Sequence, residues 1–320
     1  MSKVNFYKRR VNKLRRHFRI FYPYITFRKV ANVFTSEIDF LRGRHNVRSF
    51  PYGMKVEPTI LCNLSCPGCF RNKKDENVRH SEMDFKLFQK IVDEILDYLL
   101  EITLYDQGEP LVCKDIAKFI KYAHQANIAT VISSNFSMEL TDRQLRDLIE
   151  SGLDYLIVAV DGVTQDTYER YRKGGNLERL LFNLKKIISL REKMNKRRPI
   201  VEWQMIDFEW NKEEQALAKK MSKVYGCDYF RVITNGYTLN ANHNYLRRKK
   251  CPLLWSSFSV EVNGDFSACY INDDVSLDMG NCQVSSIKDI WFSKAYTRLR
   301  EEHNNVSKRS FFCQKCQMHD

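Results

Sequence analysis

The chain has 320 residues, 43% of them hydrophobic and 28% charged. That is the make-up of an ordinary globular protein with room for one large α/β domain and a small appendage. No run approaches the roughly eighteen apolar residues of a bilayer span, and no apolar stretch with a small-residue cleavage site follows the basic N-terminus, so a cytoplasmic location is expected. The net charge of +13 is concentrated: residues 1–50 hold thirteen Lys and Arg against Glu37 and Asp39, and the other 270 residues net only +2.

Within that basic arm, Val11, Leu14, Phe18 and Phe21 repeat at three- and four-residue steps, with Lys13, Arg15, Arg16 and Arg19 on the other face. The pattern reads as a basic amphipathic helix, either docked on the body of the protein or lying on an anionic membrane surface. Peripheral attachment at an inner membrane surface follows from the second reading. No recognisable DNA- or RNA-binding module accompanies the arm, so nucleic acid is not expected as a partner.

From residue 56 to 234 short apolar runs alternate with amphipathic stretches. Strands are expected at Val56–Leu61, Ile102–Tyr105, Ile128–Ser133, Tyr155–Val160, Ile200–Ile206 and Tyr229–Ile233. Helices are expected between them at Leu87–Leu100, Ile116–Ala126, Asp142–Ser151, Gln165–Tyr171, Leu177–Met194 and Glu213–Tyr225. Such alternation demands a parallel sheet with right-handed crossovers, and periodicity leaves open whether it is a doubly wound sheet or an incomplete barrel. Beyond residue 250 the pattern changes. Phe258–Val262, Asn263-Gly264 and Phe266–Cys269 read as a hairpin, a helix is expected from Ser286 to about Glu302, and a boundary is expected near 235–250.

Ten cysteines in a protein of a reducing compartment point to metal binding or catalysis rather than disulfides. Cys62-Asn63-Leu64-Ser65-Cys66-Pro67-Gly68-Cys69 places three thiols on one loop at the end of the first strand. Tetrahedral zinc would want a fourth ligand, for which His80 is the nearest histidine. Three thiolates suit a four-iron cluster with one iron left open.

This spacing resembles the signature of the radical SAM superfamily. The resemblance implies a [4Fe-4S] cluster on Cys62, Cys66 and Cys69 whose open iron binds S-adenosyl-L-methionine, and one-electron cleavage of that cofactor to a 5′-deoxyadenosyl radical. It also implies a partial (β/α)6 TIM-like barrel, with a core at residues 51–235. Gly68 stands where the family usually has an aromatic residue. Gln107-Gly108-Glu109-Pro110 resembles the family element that holds the methionine amino group, by Gly108 and Glu109. Ser133, Ser134 and Asn135 fall where the family binds ribose and carboxylate; Asp161 and Gln204 are further candidates for cofactor or substrate, although Asp161 would equally serve as a helix cap.

Cys251 and Cys269 flank the hairpin, and Cys313 and Cys316 form a terminal C-x-x-C. Four thiols alone fit a structural zinc site as well. Beside the first group they resemble the SPASM/twitch extension of radical SAM enzymes, which implies a second, auxiliary [4Fe-4S] cluster in a small hairpin-plus-helix domain at residues 236–320. The two-cluster form needs more cysteines than this tail supplies. Cys282 is left over, either a buried small hydrophobe or a hydrogen-atom donor of the kind used by radical epimerases; Cys113 and Cys227 read as core. The branch implies oxidation or epimerisation of a carbohydrate-like or other small polar molecule, with a flavodoxin or ferredoxin as electron donor. Maturation of a ribosomally made peptide is the alternative within the family, and a non-catalytic zinc-binding interaction protein the alternative outside it.

Overall fold

The computed structural model describes residues 18–74, 76, 78–234, 251–269, 277–309 and 313–314. The expected boundary at 235–250, the helix positions Val11 and Leu14, and Cys316 lie outside the described residues. Six parallel strands form the core: β1 Gly53–Val56, β2 Glu101–Thr103, β3 Ala129–Ser134, β4 Tyr155–Ala159, β5 Ile200–Asp207 and β6 Tyr229–Thr234. The helices are α1 Phe27–Leu41, α2 Phe85–Ile95, α3 Ile116–Gln125, α4 Asp142–Glu150, α5 Gln165–Tyr171, α6 Leu177–Lys193 and α7 Gln215–Val224. Side-chain caps set several helix starts: Asp84 accepts from Lys86 N–H, Thr141 and Gln144 form a capping box, and Thr164 and Asn176 cap α5 and α6.

Alternation along each strand sorts the side chains into two layers. Met54, Ile102, Ile132, Leu156, Val158, Val201 and Trp203 join the large core under the helices, whereas Ala129, Val131, Tyr155, Ile157 and Ile200 form a separate cluster on the inner face. Ile20 and Tyr24 complete that inner cluster. Tyr24 donates its hydroxyl to Asp154 at 2.7 Å, just ahead of β4, so the segment before α1 closes the strand-start end of the incomplete barrel. This revises the face expected for the N-terminal helix: Phe18 is exposed and Phe21 half-buried, while Ile20 and Tyr24 turn inward.

Two departures from the expected elements have local causes. β1 ends at Val56 because Pro58 has no N–H to donate, and the chain then pairs elsewhere: Ile60 N–H donates to Ser81 O at 3.0 Å and Met83 N–H to Pro58 O at 2.9 Å. The helix expected over 286–302 is two helices, because Ser293 breaks the run and caps a second one through Tyr296 N–H at 3.1 Å.

C-terminal to the barrel come α8 Leu253–Ser256, β7 Ser257–Val260, β8 Asp265–Ser267, β9 Asp278–Asn281, α9 Ile287–Trp291 and α10 Lys294–Asn304. β7 pairs in parallel with β1, Val260 opposite Val56, so the hairpin continues the barrel sheet in the order β6-β5-β4-β3-β2-β1-β7-β8-β9. The turn is centred one residue earlier than Asn263-Gly264. Gly264 N–H closes it on Glu261 O at 2.9 Å, and Gly264 itself takes the following left-handed position.

Candidate metal and cofactor site

The cysteine loop leaves β1 at the strand-end side, away from the Tyr24 plug. Cys69 N–H closes on Cys66 O at 3.2 Å, with Pro67 and Gly68 at the turn's centre and Gly68 at φ 77°. That is the geometry of a type II turn, whose third residue favours glycine. It explains why Gly68, rather than an aromatic residue, stands before the third cysteine. Asn72 Nδ2 donates to Cys66 O at 2.9 Å, Arg71 Nε to Ile60 O at 2.6 Å, and Ser65 N–H to Lys173 O at 3.1 Å. The loop is therefore anchored on both flanks.

Cys62, Cys66 and Cys69 share one apolar patch with Leu64, Tyr171, Ile206 and Phe208. Burial pushes the Cys62 thiol up to about 12, with the Glu109 carboxylate adding to the shift, and burial also raises Cys66 and Cys69. Thiols in such surroundings release their protons when a metal supplies positive charge. Leu64 N–H points at Cys62 Sγ at 3.5 Å and the Arg172 guanidinium opposes the shift at Cys66, so donors toward a sulfur ligand are in place. Among the described residues no three His, Cys, Asp or Glu side chains meet at the spacing of one metal ion; a four-iron cube holds its thiolates farther apart than a single ion does. The residues present fit a cluster.

Beside the loop, the turn after β2 is pressed against the backbone. A Cβ on Gly108 would stand 1.9 Å from Thr59 O, so only glycine lets the two segments meet. Gln107 and Gly108 N–H donate to the Glu57 carboxylate at 2.7 and 3.1 Å, and Glu109 N–H to Leu61 O at 2.8 Å. Glu109 is buried, which raises its pKa, while its oxygens accept from Leu111 N–H at 3.1 Å and Asn135 N–H at 2.8 Å. Gln107 Oε1 is buried without a partner among the described residues. An oriented carboxylate thus lies close enough to Cys62 to act on its thiol, and with the unsatisfied Gln107 oxygen on the same turn it makes an acceptor set matching an ammonium ligand.

At the end of β3, Asn135 donates from Nδ2 to Asn63 Oδ1 at 2.9 Å and accepts from Ser137 N–H at 2.8 Å, joining the β3 turn to the cysteine loop. Ser134 Oγ accepts from Phe136 N–H at 2.9 Å. Ser133 and Gln204 alternate onto the inner face and are half-buried. Asp161 does not cap α5, since Thr164 does. One of its oxygens takes Arg172 Nε at 2.6 Å and the other Ile206 N–H at 2.6 Å; it fixes the guanidinium beside Cys66. Glu57 and Arg172 were missed in the sequence. Glu57 was visible only as an acid ending an apolar strand, and Arg172 belongs to no motif.

Of the second group, Cys251 precedes α8 and Cys269 follows β8, so the strand register brings both to the start of β7, whereas the triplet follows the end of β1. Cys313 is half-buried. The Tyr296 hydroxyl is buried without a hydrogen-bond partner among the described residues, and its pKa is raised by burial, with the Cys251 and Cys269 sulfurs adding to the rise. The Arg300 guanidinium is buried 4.0 Å from the Tyr296 ring centroid. An unspent hydroxyl donor and a buried cation near two thiols fit an anionic sulfur centre.

Cys282 does not join either group. It is buried, its N–H donates to Gly264 O at 2.7 Å, and Lys90, Glu94 and Asp265 are its charged neighbours. Cys282 thus sits as a buried cysteine against α2, the surroundings of a small hydrophobe. Cys113 is buried and Cys227 half-buried, as core residues.

Residues 56–195 match the model of the radical SAM superfamily, and residues 251–317 match that of an iron-sulfur cluster-binding domain, SPASM. The Fe-coproporphyrin III synthase of Methanosarcina barkeri is 30% identical over 36% of this chain, and the match spans only 28% of that protein. The S-adenosyl-L-methionine-dependent 2-deoxy-scyllo-inosamine dehydrogenase of Niallia circulans is 23% identical, over 82% of this chain and 91% of its own length. Among solved structures, BtrN in complex with AdoMet and 2-DOIA aligns with a TM-score of 0.55 at 18% identity, covering 84% of this chain and 94% of BtrN; the likeness is one of fold, a mostly parallel partial TIM-like barrel. Both family matches fall on the two cysteine groups described above, and the chain belongs to the radical SAM superfamily, with a SAM-binding [4Fe-4S] cluster and a C-terminal SPASM domain for an auxiliary one.

Proposed function

We propose that this enzyme abstracts a hydrogen atom from a small, polar, carbohydrate-like substrate held inside the barrel, and oxidises it. The observation that carries this reading is the inner face itself. Above the Tyr24 plug, the inward positions are polar and half-buried: Lys55, Thr103, Ser133, Gln204 and Arg231. Arg231 Nε donates to Glu202 at 2.7 Å, Tyr155 donates its hydroxyl to the same carboxylate at 2.6 Å, and Lys55 pairs with Asp106. Such groups cost stability in a sealed core; lining an open interior, they offer a hydroxylated or aminated molecule several hydrogen bonds. The inosamine dehydrogenase of Niallia circulans, alignable along most of both chains, acts on a molecule of that type.

In this reading Cys62, Cys66 and Cys69 hold the first cluster, and Cys251, Cys269, Cys313 and Cys316 the auxiliary one. Gly108 and Glu109 receive the methionine ammonium. Ser133, Ser134 and Asn135 lie toward the ribose and carboxylate, and Asp161 serves by holding Arg172. When bound, the clusters and S-adenosylmethionine supply the reducing electron, the 5′-deoxyadenosyl radical and an electron acceptor. The electron would come from a flavodoxin- or ferredoxin-type donor. The burial of Cys282 under α2 supports oxidation over an epimerisation that draws hydrogen from that thiol.

The test is turnover with aminocyclitols and amino sugars deuterated at the carbinol carbons. Deuterium is expected in 5′-deoxyadenosine, together with a ketone product two hydrogens lighter. Deuterium transfer only from peptide substrates, or product of unchanged mass and inverted configuration, would contradict the reading.

A further inference from the structure

Helix α1 is mounted with its polar side inward. Its four buried side chains are Lys29, Asn32, Ser36 and Asp39, and each is satisfied by the body of the protein. Lys29 Nζ donates to Asn127 O. Asn32 exchanges two hydrogen bonds with the Phe50 backbone, both at 2.9 Å. Ser36 Oγ donates to Trp255 O at 2.6 Å, and Asp39 takes Arg48 N–H at 2.8 Å. The mounting is thus specific, and it fixes what the other side shows. Phe27, Val30, Phe34, Ile38 and Leu41 recur at steps of three and four, within about 80° of one another around the helix axis. They form an apolar stripe with Phe27 88%, Phe34 66% and Leu41 75% exposed. Phe18, Tyr22 and Ile25, in the segment just before, are exposed as well.

Five large apolar side chains aligned on one face of a helix exceed the scattered exposure of an ordinary surface. The charge around them indicates what covers them. The first fifty residues carry a net +11 while the rest of the chain nets +2, and Arg19, Arg28 and Arg42, on the same stretch, are exposed. An apolar stripe flanked by cations matches an interface with apolar depth and an anionic rim. We propose that α1 docks this enzyme on an anionic lipid bilayer, the stripe from Phe27 to Leu41 entering the headgroup boundary and the basic residues meeting the lipid phosphates. The proposal is independent of the substrate reading above.

Flotation of the anaerobically reconstituted, full-length enzyme with vesicles tests it. Binding is expected to phosphatidylcholine vesicles containing phosphatidylglycerol, and to be about tenfold weaker to phosphatidylcholine alone or at high salt. The double substitution Phe27→Ser, Phe34→Ser should lower binding by about tenfold or more, with an unchanged iron-sulfur spectrum and melting temperature because both side chains are exposed. Leu41→Ser, at the other end of the stripe, should weaken binding in the same direction. The proposal is overturned if the enzyme does not float with anionic vesicles, or if the double variant floats as well as the parent. It is equally overturned if the substitutions convert a dimer into a monomer in sedimentation, which would make the stripe a contact between copies of this chain.

Discussion

Glu57 shows how much of this site rests on single buried carboxyl groups. Its carboxylate holds the Gln107–Gly108 turn by two N–H donors. Burial, with the neighbouring Asp106 carboxylate adding to it, pushes its pKa up to about 8. A carboxyl group whose folded pKa lies above its unfolded value favours folding while protonated. Its contribution is complete below the ordinary carboxylate range and is lost as the pH climbs through about 8. The melting temperature is therefore expected to fall between pH 6 and pH 9 in the parent, with about 2–4 kcal/mol of stability lost. Glu57→Gln should be less stable at low pH, having one acceptor for two donors, and should show a visibly shallower pH slope. Parallel pH profiles for the two proteins would refute the assignment. Asp161 illustrates the same dependence, because it sets where the Arg172 guanidinium lies.

At the scale of elements, the strand–helix alternation was legible because the helices carry their apolar stripes, and several of them their caps, in consecutive residues: α5 spans the expected Gln165–Tyr171, and α6 differs only at its final residue. What could not be read depended on partners remote in sequence. β1 gave way at Pro58 because the 81–83 segment competed for the following backbone. The parallel pairing of β7 with β1, two hundred residues apart, left no local mark. The stripe of α1 escaped notice for the opposite reason: its pattern is an ordinary amphipathic helix, and only the packed structure shows that the polar side is the buried one. The site divides the same way. The triplet and the Gly108-Glu109 turn were visible as compact motifs, whereas Glu57, Asn63 and Arg172 act through bonds made across loops. Gly108 offers an element-level test. Gly108→Ala puts a Cβ into the Thr59 carbonyl, so the turn must separate from the cysteine loop. We expect about 1–3 kcal/mol lower stability and at least tenfold slower S-adenosylmethionine cleavage, about 1.4 kcal/mol, with iron content retained on the three thiols. Parent-level cleavage by the Ala variant would show that the close approach has no part in cofactor binding.

Across the whole molecule, one sheet organises three functions. Its inner face is sealed at the strand starts by Ile20 and Tyr24, lined with polar side chains in the middle, and bordered by the cysteine loop at the strand ends. Its β7–β9 edge is flanked by Cys251 and Cys269, close to Tyr296, on whose ring Arg300 packs. No helix among the described residues is long and apolar enough to cross a membrane. The account stands or falls on the three thiols of the first loop. After anaerobic reconstitution with iron and sulfide and reduction with dithionite, the parent protein should convert S-adenosylmethionine to 5′-deoxyadenosine and methionine. The Cys62→Ala, Cys66→Ala, Cys69→Ala variant should form neither, while keeping the iron held by the auxiliary cysteines. Equal 5′-deoxyadenosine formation by the two proteins, or none by the parent, would contradict it.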